Sequence, residues 1–402
     1  MIALAELATG LSGVGVVQAV AGWSAVRRFV NRPLLIGTGV TPGVSVLKPL
    51  HGDEPLLEDA LASICRQDFP TWQVVFGVQD PADTALPVVR RLQARFPDCD
   101  IAVVVDPTGH GRNPKVANLI NMLPAATHDV LVIADSDLHV APDYLRRLVV
   151  ALGQPGTGLA TTLYVGLSLP PAASRRGWGS AVHATPLPLV GGRSGDGSPA
   201  LPNSLGAVQI NQYFLPGALL SRALGRQDCL GATMALRRET LERIGGFAAL
   251  ADHLADDNVL GRLVQGLGLA VVLAGTVPAT TVPETSFVAL WRHELRWART
   301  IRALVPGQFA ASVLQYPLVW AGLAILLTWG ALWAVAWFVV AWLIRAVVAR
   351  GIERSLGVAN PAPLWLLPLR ELMSVAVMIA SYAGRDVDWR GHAMQAEGYH
   401  PQ

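Results

Sequence analysis

Two aspartates one residue apart, Asp135 and Asp137, close a short apolar run, Val130 to Ala134 (VLVIA), and a Pro142-Asp143 pair follows shortly after. The run is rich in β-branched residues and reads as a buried strand. Pro in the first position and Asp in the first turn are a favourable opening for a helix. Two carboxylates thus stand where a strand gives way to a loop, the edge at which open α/β sheets bind ligands. Such a pair can hold a hard divalent cation through oxygen and leave positions open for substrate phosphates. It also suits an ordinary turn, in which Asp bonds its own backbone.

Other residues able to do chemistry lie at corresponding places. The run QVVFGVQ ends in Asp80-Pro81-Ala82-Asp83, and IAVVV is followed by Asp106, Arg112, Asn113, Pro114 and Lys115 in a turn-rich loop ahead of a helical pattern. Two cations in such a loop suit phosphates or a sugar, and equally a solvated turn. Asp256 and Asp257 open a helical pattern from Asn258 to Gln265, where an acidic pair is commonly a cap. His293, Arg296 and Trp297 fall in a stretch mixing Arg, Trp and Leu, a composition that fits a helix lying on a membrane surface.

The elements that must hold these residues show a rhythm. Apolar β-rich runs start at Val44, Gln73, Ile101 and Val130, spaced 29, 28 and 29 residues apart. Helical patterns fill the gaps, at Glu54 to Arg66, Asp83 to Phe96 and Pro114 to Leu123. This alternation predicts βαβ units and a parallel sheet. The absence of GxGxxG after the first strand argues against a nicotinamide dehydrogenase. Residues 153–227, rich in Gly, Pro and Ser, read as a loop or mobile lid with no clear element between Pro170 and Asn203. A strand is expected near Cys229 to Leu236 and a helix from Arg237 to Ile244 ended by Gly245-Gly246.

Of the 402 residues 52% are hydrophobic and 15% charged, and the mean hydropathy is +0.40, which points to membrane spans. The net charge of +2 and the lack of a long basic run give no sign of nucleic acid. Cys65, Cys99 and Cys229 are far apart in sequence and form no metal or disulfide framework. Between Glu6 and Arg27 lie 20 uncharged residues, long enough to cross a bilayer core of about 30 Å. Arg27, Arg28 and Arg32 follow this span, which reads as an uncleaved anchor with the N-terminus outside. The glycines at 13 and 15 read as small-residue helix packing. Ala303 to Ile344 is a stretch of 42 uncharged residues, read as two antiparallel spans turning near Thr328 to Ala331. Arginines flank both ends, which places those ends in the cytosol. Leu364 to Ala383 is a further apolar segment interrupted by Arg370-Glu371, an ion pair that a full span would have to satisfy internally.

Taken in order, the stretches LKPLHGDEP, VVFGVQDPAD, NPKVANL, ADSDLHVAPDYL, LADDN, HELRW and VDWRG resemble the inverting family 2 glycosyltransferases, in particular the ceramide glucosyltransferase-like branch, whose bacterial members include a hopanoid-biosynthesis type. The resemblance implies an α/β fold, a GT-A-like, Rossmann-type parallel-sheet domain with transmembrane helices at both ends. Its expected organisation is an N-terminal anchor at 1–32, a cytosolic transferase domain at 33–288 and an interfacial helix with the RW motif at 289–304. A C-terminal membrane region at 305–402 completes it, with a hairpin at about 311–349, an apolar segment at about 362–384 and a polar tail.

The resemblance also implies roles. Asp80 contacts the uridine end of the donor, with Asp83 and Lys115 in the same donor site. Asp135 and Asp137 hold Mg²⁺ or Mn²⁺ on the diphosphate. Asp257 is the acceptor-side base, with Asp256 beside it. Arg296 and Trp297 match the end of a (Q/R)xxRW motif, whose first position is His293 here, and a neutral His donates only one hydrogen bond. The implied reaction transfers N-acetylglucosamine from its UDP donor to a hopanoid such as bacteriohopanetetrol, at the bacterial cytoplasmic membrane with the catalytic domain in the cytosol. A ceramide acceptor receiving glucose is the alternative. A processive polysaccharide synthase and an inactive lipid-binding protein are the remaining readings. UDP release in the presence of lipid extract separates the enzymes from the binding protein.

Overall fold

The computed structural model describes residues 1–33, 41–168, 201–358 and 361–384, with the backbone of two further strands at 386–389 and 392–395. In chain order the first elements are α1 (Ile2–Val30), β1 (Val44–Pro49), α2 (Leu57–Ile64), β2 (Trp72–Val78), α3 (Ala85–Arg95), β3 (Ile101–Val105), α4 (Pro114–Met122), β4 (Val130–Ala134), β5 (Leu138–His139), α5 (Tyr144–Leu152), β6 (Thr157–Thr161) and β7 (Val165–Leu167). Then come α6 (Leu201–Gln209), a π-helical turn (Ile210–Phe214), α7 (Leu215–Ala223), β8 (Thr233–Arg237), α8 (Arg238–Arg243), α9 (Asp256–Gly266), β9 (Ala270–Leu273), β10 (Ala279–Thr281), α10 (Phe287–Leu304), α11 (Pro306–Ala311), α12 (Pro317–Leu327), α13 (Leu332–Leu356), α14 (Leu366–Ser381), β11 (Asp386–Trp389) and β12 (His392–Gln395). They fall into an α/β unit, residues 32–198 and 225–283, and a helical unit, residues 1–31, 199–224 and 284–402.

The α/β unit is built on a seven-stranded sheet of order β3-β2-β1-β4-β8-β6-β9. The first four strands in sequence are parallel, with Val46 opposite both Val74 and Val132. This matches the expected βαβ rhythm, and the runs are apolar throughout because helices cover both faces. β8 is antiparallel to both β4 and β6, so the sheet is mixed rather than wholly parallel. From β1 the chain winds to β2 and β3 on one side, then reaches β4 on the other. The β1/β4 boundary is therefore the topological switch point, outside whose carboxyl ends a crevice forms. A second sheet has the order β5-β10-β7, and its strand β5 follows immediately after the DxD.

The expected loop or lid at 153–227 contains β6, β7, α6, the π turn and α7, and its part between 169 and 200 lies outside the described residues. Sequence reading missed β6 because TGLAT is weakly apolar, yet all five residues are buried. It missed α6 and α7 because they carry Pro202, Gly206, Pro216 and Gly217. Residues 199–224, within the sequence span expected for the transferase domain, cluster with the helical unit.

Among the described residues two helices of the helical unit, α1 and α13, are long and apolar enough to cross a membrane. The first arm of the expected hairpin is a bent pair, Pro306–Gln315 and Pro317–Leu327, meeting at 69°. Pro317 causes the break, since it cannot continue a preceding helix without losing a backbone bond. The turn comes where expected, with Trp329 and Gly330 at positive φ. α1 packs through small residues: Ala5 and Ala8 meet Ala324 and Ala334 near the hairpin tip. At the other end Trp23 lies against Gly351, which sets Arg27 and Arg28 level with Arg350 and Arg354. Arg370 and Glu371 do not pair with each other as expected. Arg370 binds Glu294 of α10, and Glu371 faces Arg345 of α13.

A Cβ on Gly15 would lie 2.4 Å from the Leu314 carbonyl oxygen, while one on Gly10 would meet nothing within 4 Å. Gly15→Val should therefore cost about 3 kcal/mol or more, beyond ordinary overpacking because backbone must move, and Gly10→Val should be tolerated. Thermal-shift and size-exclusion profiles in detergent check this. Equal behaviour of the two variants would contradict the packing of α1.

Candidate active site

β4 delivers Asp135 and Asp137 to the carboxyl edge of the sheet at the switch point. The Asp135 backbone N–H bonds the Ala232 carbonyl, and its own carbonyl accepts from Lys48 Nζ at 2.7 Å. Lys48 is fully buried at the end of β1, and burial lowers its ammonium to about 8 although the charges of Asp137 and Asp135 oppose that. The Asp137 carboxylate accepts a hydrogen bond from the Thr280 hydroxyl of β10, so the small second sheet holds it. Burial, and next the charge of Asp135, push Asp137 up to about 6. Ser136, between the two, donates to Glu54 at 2.7 Å.

α4 supplies a cation. Asn113 caps it, accepting from the Val116 N–H at 3.2 Å, and Pro114 takes the first position. The preceding loop is fastened to residues 251–253: Asn113 N–H bonds the Ala251 carbonyl and its side-chain amide bonds the His253 carbonyl, each at 2.8 Å. Gly111, at φ +76°, sits so close that a Cβ would fall 2.7 Å from the Ala251 carbonyl oxygen. This docking carries Lys115 to Asp135 Oδ1 at 2.8 Å and to Asp256 Oδ2 at 3.8 Å. Burial alone would lower the Lys115 ammonium, but the charges of Asp135 and Asp256 hold it above its usual range.

The acidic pair at α9 is not the cap. Ala255 occupies that position and no side chain caps the helix. Asp256 and Asp257 stand in its first turn, where the helix dipole favours negative charge, and Asp257 Oδ1 accepts the Asn258 N–H at 2.7 Å. Gly231 gives Asp257 room, since a Cβ there would lie 2.9 Å from Oδ2. Burial, and next the charge of Asp256, push Asp257 up to about 6. Asp256 is likewise raised, chiefly by burial.

The structure thus joins Asp135, Asp137, Lys115, Asp256 and Asp257 in one cluster of the α/β unit. Asp80 is exposed on the same edge, its carboxylate bonded to the Ala82 N–H at 2.8 Å. Asp83 is occupied as a strap: its Oδ1 accepts the Gly52 N–H at 3.0 Å and the Ala85 N–H at 2.8 Å. His293, Arg296 and Trp297 belong to α10 in the helical unit. There His293 Nδ1 bonds Glu284 and its ring meets Trp297 edge-on with centroids 4.6 Å apart. Sequence reasoning missed Lys48, Thr280 and Tyr164. Tyr164 is raised by burial, and next by the charges of Asp135, Asp257 and Asp137 around it. A lysine inside an apolar strand was the one available signal.

Among the described residues no group of three or more His, Cys, Asp and Glu could hold a metal. The fit for a divalent ion is therefore two carboxylates, Asp135 and Asp137, with the remaining oxygens from elsewhere. That donor set suits Mg²⁺ or Mn²⁺, which keep water and substrate phosphate as ligands.

The family model for glycosyl transferase family 21 matches residues 10–175 and 192–399. The chain belongs to that family. The motifs had suggested family 2, and the ceramide glucosyltransferase-like part of that resemblance is what the relatives carry. Ceramide glucosyltransferase 1 of Caenorhabditis elegans is 22% identical over 274 residues, 68% of this chain and 53% of the relative. An N-acetylglucosaminyltransferase of Rhizobium leguminosarum bv. viciae is 26% identical over 126 residues, 31% of this chain and 29% of the relative. The chain spans about half the length, or less, of the curated relatives it matches. In fold it is similar to a mannosyltransferase of Pyrobaculum calidifontis solved with GDP-mannose and Mn²⁺, at a TM-score of 0.52 and 20% identity, covering 94% of this chain and 99% of that one. This family 21 chain accordingly has a GT-A-like fold.

Asp257 has a folded value near 6 against about 3.9 in the unfolded chain. A raised acid disfavours the fold once ionised, so the cost is full above about pH 6 and absent below about pH 4. Asp257→Asn, whose side-chain oxygen can still accept from Asn258, should melt a few degrees higher than wild type at pH 7.5. The difference should vanish near pH 4. A lower melting temperature at pH 7.5 would contradict the buried, charge-crowded setting.

Proposed function

We propose that this family 21 chain is a membrane-bound inverting glycosyltransferase that moves a sugar from a UDP-sugar to the hydroxyl of a membrane lipid. The observation that carries the reading is the cluster itself. Asp135 of the DxD at the switch point and Asp256, beside the raised Asp257 at the start of α9, share one half-buried lysine. Asp257 is the base. An acceptor hydroxyl oxygen attacks the anomeric carbon, its proton passes to Asp257, and the carbon–oxygen bond to the diphosphate breaks on the opposite face, releasing UDP. Inversion follows from one direct displacement. Asp135 and Asp137 would hold Mg²⁺ or Mn²⁺, which supplies charge neutralisation of the leaving diphosphate. Lys115 adds a fixed positive charge beside it. Asp80 is assigned to the uridine end and His293, Arg296 and Trp297 to the donor, on the family motif. Asp83 we place in the support of that donor loop.

For the acceptor, the motif wording points to a polyhydroxylated hopanoid and UDP-N-acetylglucosamine, and the name of the Rhizobium relative supports that sugar. The name of the nematode relative favours ceramide and glucose as the second reading. Protein in lipid nanodiscs, supplied with each donor and with bacteriohopanetetrol or ceramide, should give a glycosylated lipid by mass spectrometry. Turnover should fall below about pH 6 as Asp257 takes up a proton. Asp257→Asn should lose roughly 10² to 10⁴ in rate with donor affinity nearly unchanged. Near-normal turnover in that variant would remove Asp257 as base.

We also place the protein in a bacterial cytoplasmic membrane with the α/β unit, residues 33–198 and 225–283, in the cytosol. The alignment of Arg27 and Arg28 with Arg350 and Arg354 supports this, since positive ends stay inside. An impermeant maleimide applied to intact cells should label Trp329→Cys at the exposed hairpin tip and spare Gln93→Cys on the surface of α3. The reverse pattern would overturn the orientation.

A further inference from the structure

The helical unit buries two charge pairs that begin on adjacent residues of one helix. Arg370 of α14, wholly inaccessible, donates from Nη1 and Nη2 to the two carboxylate oxygens of Glu294 in α10, at 2.6 Å each. It also reaches the Ser374 hydroxyl at 3.0 Å and the Leu205 carbonyl at 3.4 Å. Glu371, equally buried, turns to other helices, accepting from the Leu318 N–H at 2.6 Å, the Tyr213 hydroxyl at 3.1 Å and Arg345 Nε at 3.4 Å.

Such pairs are a poor way merely to hold helices together. Removing two charges from water costs about what their attraction returns, and apolar residues of the same volume often hold as well or better. What apolar contacts lack is direction. A planar guanidinium gripping a carboxylate with two parallel bonds fixes rotation and register as well as distance. α10 buries a single stripe, Leu290, Glu294 and Ala298, and of these only Glu294 has a directional side-chain bond. At about 100° per residue, Arg296 projects roughly 160° from Glu294 and Trp297 roughly 60° from it, both on the same side. A slip of one residue would swing both by about 100°.

We propose that Arg370 is a positioning residue: its two-pronged bond to Glu294 sets the rotation of α10 and so the direction in which Arg296 and Trp297 are presented. Ser286 caps the start of the helix and Arg302 ties its end to the Gly384 carbonyl at 2.8 Å. These fix the ends, and the fork with Arg370 fixes the middle, two residues from Arg296. The inference rests on the role given to Arg296 in the proposed reaction.

The test is a double-mutant cycle in nanodiscs, reading UDP release and thermal melting. Glu294→Gln/Arg370→Gln, a neutral pair of similar bulk, is compared in the wild-type and the Arg296→Lys backgrounds. The neutral pair should melt within a few degrees of wild type and lose at least tenfold in kcat, with the donor KM changed less than threefold. In the Arg296→Lys background the same change should cost less than twofold further, because the residue it acts through is already impaired. An equal tenfold loss in both backgrounds, or no loss in either, overturns the proposal. If the neutral pair does not fold, Arg370→Lys, which keeps the charge and loses the fork, enters the same cycle with the same criteria. Wild-type turnover in Arg296→Lys overturns the role of Arg296 and the proposal with it. A wild-type protein that releases no UDP fails the reaction reading before the cycle begins, a separate result.

Discussion

One half-buried ammonium decides how the α/β unit can work. Lys115 lies 2.8 Å from Asp135 and 3.8 Å from Asp256, so a single cation ties the carboxylate pair at the end of β4 to the pair at the start of α9. Without it, four carboxylates would crowd a buried region, and like charges so placed cannot all ionise. With it, Asp257 is held to about 6 against the upward push of burial and of the Asp256 charge. The loop from Asp106 to Asn113, Gly111 against Ala251 and the cap on α4 all serve to bring that one side chain to its place. Lys48 does the same from below, bonding the Asp135 carbonyl from inside the sheet.

The helical unit obeys a parallel constraint in a medium where unsatisfied polar groups cost more. Its helices approach through glycine and alanine, and among the described residues Arg370 is buried against the fork of Glu294 while Glu371 accepts three hydrogen bonds. Arg370 and Glu371 show why adjacency in sequence misleads. On a helix, neighbours point about 100° apart, so two residues next to each other reach different helices and an apparent i, i+1 ion pair becomes two separate ones.

This difference explains what could be read from the chain. β1, β2 and β4 were legible because burial on both faces writes a continuous apolar run, and the partly exposed edge strand β3 keeps the same apolar character and interval. Asp135, Asp137 and Asp257 were legible because strand ends and helix starts are marked by local sequence. Lys115 was legible as a cation ahead of a helix, but its bridging role depends on contacts 20 and 141 positions away in sequence. β6 was hidden by its Thr, Gly and Ala, which are buried by neighbouring strands rather than by their own hydrophobicity. α6 and α7 were hidden by prolines and glycines that tight packing tolerates. Thr280 of β10 and Tyr164, in the link between β6 and β7, join the site from far along the chain, and nothing near them in sequence announces it.

The proposed cation site draws two carboxylates, Asp135 and Asp137, from the described residues and is proposed to be completed by a nucleotide. Mn²⁺ binding to the purified protein, followed by electron paramagnetic resonance with and without UDP, tests that most directly. The account predicts weak Mn²⁺ binding alone, binding at least tenfold tighter with UDP, and loss of that gain in Asp135→Asn/Asp137→Asn. Mn²⁺ bound equally well without UDP, or unaffected by the double substitution, would contradict it.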